Sequence, residues 1–389
     1  MLTSTPILDR ATPMPAPNSR RLSLWLGGIV TLPVLLLLSP HPTLSAFWCS
    51  WFLGIVVHEC GHFAGGMLGG MKFNSIRFGP LQIDSPLRLS WHWREALSGV
   101  TSMLPREGGV TRGTCLMLSA GGPVASLVSS GLAFWFQSLS SGSSTSWATF
   151  GAVSLIFGLT TITPHETSVG DSDGKKIWTI LANQDRAARL LALYEISSAI
   201  MTVGDFADLP ADLIERVTAF NDDSLDTVRA HAIAYAWNFN GPDVARTAGH
   251  LETCLAVSAC CSAKTRQALM SDAAVFQARK KRRIDLAQAW LDDIPARARR
   301  PDLRLRVEAS ILEAQGNVTG AIAKLSEIEA MIGKFPNVRQ REIALRHLAQ
   351  WKSEISGGDE VRAASIDPGA VSGAAWDRAP QASTGTSES

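Results

Sequence analysis

The chain has 389 residues, with 36 Lys and Arg against 35 Asp and Glu, a formal net charge of +1 at pH 7. That length exceeds one ordinary domain, and the near balance of charge excludes an argument for nucleic-acid binding. The balance is uneven, however: residues 21 to 71 carry few ionisable side chains and residues 171 to 355 are dense in them, which predicts a membrane part followed by a water-soluble part.

In chain order, Arg20-Arg21 and the apolar run Leu22 to Ser39 resemble an export signal, but the run is longer than a usual signal core and further apolar segments follow. It is read as a retained first membrane helix. Three more spans are predicted at Leu44 to Gly66, Thr114 to Phe136 and Trp147 to Thr163, with tryptophans near their ends. Basic residues lie before the first span, between the second and third, and after the fourth, whereas the connectors Pro40 to Thr43 and Gln137 to Ser146 have none. This asymmetry predicts a multi-pass protein of the cytoplasmic membrane with both termini in the cytoplasm. Six cysteines (Cys49, Cys60, Cys115, Cys254, Cys260 and Cys261) form no regular framework and are read as reduced thiols.

The second span contains His58-Glu59-Cys60-Gly61-His62. Ionisable groups in lipid are costly and mark functional sites. On a helix the two histidines lie one turn apart on one face, where both imidazoles reach a single metal ion, and Glu59 lies beside that face. A glutamate there can take a proton from water held by the metal. His58 lies about 21 Å along the helix from Leu44, in the cytoplasmic half of a core about 30 Å thick.

Phe73 to Ile83 reads as two short strands around Gly79-Pro80, at the membrane surface with Trp91 and Trp93. A catalytic zinc site usually has three protein ligands. The third is sought after the fourth span, in Pro164-His165-Glu166-Thr167-Ser168-Val169-Gly170-Asp171-Ser172-Asp173-Gly174. Asp173, Asp171, Glu166 and His165 are all candidates there.

From about Lys176 the pattern turns helical and soluble, with helices predicted at Leu181 to Val203, Asp222 to Trp237, Ala263 to Arg279, Leu286 to Ile294, Leu303 to Gln315 and Val318 to Met331. Ala287, Ala289 and Leu291 recur 34 residues on as Ala321, Ala323 and Leu325, near the length of a tetratricopeptide-type helical pair. A helical repeat and a generic helical bundle both fit. From about Gly357 the Ala, Ser, Gly and Pro content predicts disorder. The predicted organisation is a tail at 1–20, a membrane unit at 21–180, a soluble helical domain at 181–355 and a disordered tail at 356–389. The fold class is mainly α, a bundle of about four spans with a small membrane-associated β segment.

The membrane unit resembles the site-2 protease family of intramembrane zinc metalloproteases over roughly residues 22 to 180. The resemblance rests on the HExxH motif of His58 to His62, the segment Ile76 to Pro80, the Gly-Pro pair Gly122-Pro123 and the Asp-Gly pair Asp173-Gly174, in that order. It implies that His58, His62 and Asp173 bind one Zn2+ and that Glu59 is the catalytic general base. It also implies that Gly122, Pro123, Ser126, Thr161 and Pro164 support the site or touch substrate. Ser126 and Thr161 stand where the family often has Asn. The implied activity is endoproteolysis of membrane-embedded protein segments near the cytoplasmic side, with membrane proteins as substrates and a regulatory protein as a partner of the helical domain. The alternative is a catalytically silent membrane scaffold of the same fold. A metal transporter fits less well, since it predicts more ligands within the spans.

Overall fold

The chain was examined as a computed structural model, which describes residues 6–10, 14–15, 44–91, 98–106, 109–140, 145–167, 170–203, 205–295, 300–332 and 338–366. The predicted first span, Trp93, Arg297, Arg299 and residues 367–389 lie outside the described residues. Three apolar helices make the first unit: α1 (Leu44–Leu68), α2 (Arg112–Leu139) and α3 (Thr145–Ile162). Each packs against the other two. Thr111 starts α2, its hydroxyl accepting a hydrogen bond from Thr114 N at 3.1 Å. Glycines bring α1 and α2 together: a Cβ added at Gly61 or Gly121 would collide with the other residue's carbonyl.

The chain is mainly helical, with a small antiparallel sheet. Among the described residues, one helix is long and apolar enough to cross a membrane: α2, with a mean hydropathy of 1.4. The expectation was three such helices in this part. The physical reason for the shortfall is local. The apolar stretch of α3, Ser146–Ile162, is short because the chain turns at the site, and α1 carries His58, Glu59 and His62 within its apolar sequence.

The predicted strands around Gly79-Pro80 are β1 (Lys72–Phe78) and β2 (Leu81–Asp84). They belong to a larger sheet with β3 (Arg88–Trp91) and β4 (Gly99–Leu104), in the order β3-β2-β1-β4. The β1–β4 ladder runs from Lys72↔Leu104 to Phe78↔Gly99, with an irregularity between Phe73 and Ser75. Met71 and Met103, both buried, pack with Leu118, Phe63 and Phe73 and so fix the sheet against α1 and α2. After α3 comes a two-stranded ladder, β5 (Glu166–Thr167) with β6 (Gly170–Asp171). The stretch between Pro164 and Asp173 therefore has structure of its own.

Ser172 caps α4 (Asp173–Ala182), accepting from Lys175 N at 3.2 Å. The same hydroxyl accepts from His165 N and donates to Thr163 O, so one side chain ties the end of α3, the ladder and the start of α4 together. Helix α5 (Gln184–Val203) then packs Leu190, Leu191 and Tyr194 against Val110, Cys115 and Ile180.

The remaining helices are α6 (Ala211–Thr218), α7 (Leu225–Asn238), α8 (Val244–Val257), α9 (Ala263–Arg279), α10 (Ile284–Asp292), α11 (Pro301–Ala314), α12 (Val318–Ile332) and α13 (Val338–Ile366). Helices α7–α8, α9–α10 and α11–α12 are consecutive packed pairs. Their first helices begin at Leu225, Ala263 and Pro301, 38 residues apart each time. The recurring Ala273, Ala287, Ala309 and Ala321 are all fully buried, where only a small side chain lets neighbouring helices approach. Among the described residues, this part is thus helical and built of successive packed helix pairs. Helix α13 continues to Ile366, past the predicted start of disorder at 356, and Leu348, Trp351 and Ile355 pack its earlier part against α12. Arg279, the first of the basic run Arg279-Lys280-Lys281-Arg282-Arg283, is structural, paired with Glu313 at 3.0 Å and Glu354 at 2.8 Å under the Trp351 ring.

Two outcomes follow from this packing. Gly121→Leu forces a side chain into the backbone of α1 and should lower stability in detergent by at least the roughly 1–3 kcal/mol of an overpacked core, read as a drop in Tm; an unchanged Tm would contradict the close approach. In the helical part, His231 is bonded to Asn221 Oδ1 at 2.7 Å and lies against His250. Burial, with His250 and Arg189 beside it, pushes the imidazole down to about 4. An unfolded histidine titrates near 6.5, so between these values the unfolded chain binds more protons and stability falls as pH drops from about 6.5 to about 4. Denaturant unfolding across that window should show a shallower pH slope in His231→Gln than in the wild type.

Candidate metal centre

Helix α1 presents His58 and His62 one turn apart, and α4 brings its first residue, Asp173, to meet them. His58 Nε2 and His62 Nε2 are 3.1 Å apart, and Asp173 Oδ2 lies 3.3 and 3.2 Å from them. All three residues are buried, with one ligand atom from each within 4.8 Å of the others. Among the described residues this is the group of His, Cys, Asp and Glu side chains that can hold a metal ion.

The far ring nitrogens explain why the near ones converge. His62 Nδ1 donates to Leu118 O at 2.7 Å, and His58 Nδ1 is 3.0 Å from Ser126 Oγ. With protons placed on both Nδ1 atoms, both Nε2 lone pairs point into one spot beside a carboxylate oxygen. Three such donors repel one another in a buried site unless a cation lies among them. The set of two imidazoles and one carboxylate therefore fits a divalent transition metal, and the buried group holds such an ion in principle.

Small residues make this convergence possible. A Cβ at Gly122 would run into the His62 ring, and one at Gly174 would collide with Ile162 O at the end of α3. Pro123 follows Gly122 inside α2 and removes the N–H that would otherwise bond Ser119 O within the helix. Burial opposes a charge on Asp173, and Lys176, with Nζ 3.5 Å from Oδ1, favours the ionised form that a ligand must take.

The rival candidates have other partners. Asp171 lines the same cavity but lies outside the ligand group. Burial, then the neighbouring Asp226 and Glu166, push its carboxyl up to about 6. Glu166 pairs with Lys175 at 3.3 Å, and His165 Nδ1 bonds Thr163 O at 2.9 Å. Two of the residues expected to support the site or touch substrate have partners of their own, and Thr161 also lines the cavity. Ser126 orients His58, and the Thr161 hydroxyl donates to Phe157 O of its own helix at 2.8 Å. Pro164 is exposed beyond the end of α3 and is not among the residues that line the cavity.

Glu59 faces the same cavity, which has a volume of about 430 Å3. Its Oε2 accepts from the Thr101 hydroxyl at 2.7 Å. Gly99, also on β4, lies over the carboxylate, where any side chain would collide with it. Neither residue carries a motif, and both reach Glu59 only because β1 pairs with β4. Lys176 and Tyr194, also on the cavity wall, come from α4 and α5 and were likewise not expected.

Compared with known proteins, the chain matches no family model, no curated protein and no solved structure.

The geometry predicts the outcome of metal analysis on detergent-purified protein. Wild type should hold one ion per chain; His58→Ala, His62→Ala and Asp173→Ala should lose it, and Asp171→Ala should keep it. Ser126→Ala should bind about 10- to 100-fold more weakly, the usual effect of removing an orienting partner. Loss in Asp171→Ala with retention in Asp173→Ala would reverse the assignment.

Proposed function

We propose that the chain is a zinc-dependent intramembrane endopeptidase of the site-2 protease type, cleaving membrane-embedded protein segments near the cytoplasmic side. The observation that carries this reading is Glu59, held by Thr101 at the edge of a buried His58–His62–Asp173 group and facing the same cavity. A site that only held a metal would have no use for a carboxylate positioned there. That observation favours the enzyme over the silent scaffold.

The exterior of the helices supports a lipid setting. Trp48, Phe52 and Leu53 on α1, Val124, Val128, Leu132 and Trp135 on α2, and Trp147 and Leu159 on α3 are all exposed large apolar side chains. A water-soluble bundle rarely leaves so much contiguous apolar surface uncovered. Chain parity supports four crossings. Residues 6–10 sit against the helical domain, on the same side as α4 and beyond. Segments α1, α2 and α3 make three crossings between them, so an even count requires a fourth before Leu44, where the sequence has the apolar run Leu22 to Ser39. The basic residues outside the runs then place both termini in the cytoplasm of an inner-membrane protein.

Zinc suits two imidazoles and a carboxylate, and when bound it would supply Lewis acidity to water and to the scissile carbonyl. The chain's own residues do the rest. Glu59 takes the proton from the attacking water and delivers it to the leaving amine, moving one proton across the cavity. Thr101 holds Oε2 and Gly99 leaves room for Oε1, so the carboxylate keeps one orientation at the cavity wall. Ser126 and Leu118 O keep both rings in one tautomer through the cycle. A substrate helix must unwind to expose its amide to this group. Strand β4 is the sheet edge nearest Glu59, and it offers a backbone on which an unwound segment can add as a further strand. The edge expected from sequence was at 73–83; in the fold that stretch pairs inside the sheet.

The test is cleavage of a membrane-helix substrate in detergent or liposomes. Glu59→Gln should lower the rate by about 100- to 10,000-fold, the usual worth of general acid–base catalysis, while keeping its metal and its Tm. Full cleavage by Glu59→Gln would sink the mechanism. Metal in the wild type without cleavage of any membrane substrate would turn the reading to the scaffold.

A further inference from the structure

The start of the chain is held by its far half. Ile7, Leu8 and Asp9 form one 3-10 turn, closed by Arg10 N donating to Ile7 O at 2.9 Å. Arg10 sits at φ +61°, a conformation that side-chain-bearing residues seldom adopt without outside support. The support comes from helices α8, α9 and α10. The Glu252 carboxylate accepts from Ile7 N and, at 2.9 Å, from Leu8 N. Leu8 O accepts from Gln277 Nε2 at 2.9 Å and from Trp290 Nε1 at 3.2 Å. Leu8 itself is 4% exposed within the main core of the helical domain. Arg10 lies over the Trp290 ring at 4.3 Å and pairs with Asp293 at 2.7 Å.

Two features mark this as a binding site rather than ordinary core. First, Gln277 is fully buried and Trp290 is 2% exposed, and both aim donors at a carbonyl that belongs to a segment more than 260 residues away. Without that segment, the helical domain would keep two buried donors with no other acceptor among the described residues, a costly arrangement unless something occupies the groove. Second, recognition falls on the main chain of Ile7 and Leu8 and on the side chains of Ile7, Leu8, Asp9 and Arg10, with Asp9 Oδ1 accepting from Gln277 Nε2 at 3.2 Å. That is how short peptides are read in a groove.

We propose that the groove between α8, α9 and α10 is a peptide-binding site and that the chain's own segment Pro6–Arg10 is its resident, exchangeable ligand. The peptide chemistry it takes is a tight turn with a buried aliphatic residue followed two positions later by Arg. The occupied groove ties the N-terminal tail to the helical domain. This proposal does not depend on the protease reading.

The experiment uses the full chain in detergent with a site-specific protease site placed within residues 16–19, leaving residues 1–15 unchanged and the fold undisturbed. After cleavage, the fragment should stay with the protein through gel filtration and be replaced by excess synthetic peptide of residues 1–15. A labelled copy of that peptide should then bind the cut protein saturably. Uncut wild type should bind it at least tenfold more weakly, because its groove is filled. A charge swap tests the contact: cut protein carrying Asp293→Arg should prefer a peptide with Arg10→Glu over the natural one by fivefold or more. The proposal is overturned by a fragment that never exchanges, by one that leaves and does not rebind, or by equal binding to cut and uncut protein.

Discussion

Two imidazole nitrogens and one carboxylate oxygen sit within 3.3 Å of one another in a buried place, and the rest of the fold is arranged around that congestion. Unshielded, such donors repel, and histidines on adjacent helical turns would turn their rings apart. Here each ring is locked from behind, by Ser126 and by Leu118 O. Asp173 is carried in by the first residue of α4. The cap of that helix, Ser172, is also the hydroxyl that binds the end of α3. Metal ligand, helix start and chain reversal are thus one mechanical unit, and displacing any of them would open the group.

Close backbone approach is the second condition. Gly61 and Gly121 let α1 and α2 touch, Gly122 makes room for the His62 ring, and Gly174 lets α4 press against α3. The same small side chains that reduce apolar burial permit a polar group to assemble between apolar helices, because the backbones come close enough for side chains from α1 and α4 to reach one point. On the proposed reading, this is how water-dependent chemistry is housed beside lipid. The sheet contributes from the other side: β4 brings Thr101 and Gly99 over Glu59, and its outer edge faces the cavity.

Helix α5 packs Tyr194 into the wall of the cavity, so a helix beyond α4 is part of the site's enclosure. The N-terminal turn is gripped further along the chain, by α8, α9 and α10.

What could be read directly from the sequence is what local spacing encodes. Histidines four apart on an apolar helix share a face whatever surrounds them, so His58, His62 and Glu59 were legible, as were the strands flanking Gly79-Pro80 and the helices from Ala263 to Ile332, where periodicity and breakers coincide. Asp173 was legible as one of several candidates near a chain reversal, but the selection among Asp171, Glu166, His165 and Asp173 came from the β5–β6 ladder and the helix start that follows it, which have no signature of their own and bring Asp173 alone to the two histidines. Thr101 and Gly99 reach Glu59 through a strand pairing across 42 residues of sequence. Ser126 turned out to serve His58 because α2 crosses α1 at Gly121. The N-terminal turn, five polar and aliphatic residues without periodicity, acquires its conformation only from Glu252, Gln277 and Trp290. Spacing along one helix is decided by the chain's own geometry, whereas these contacts depend on which distant elements pack together, and that is a property of the folded whole.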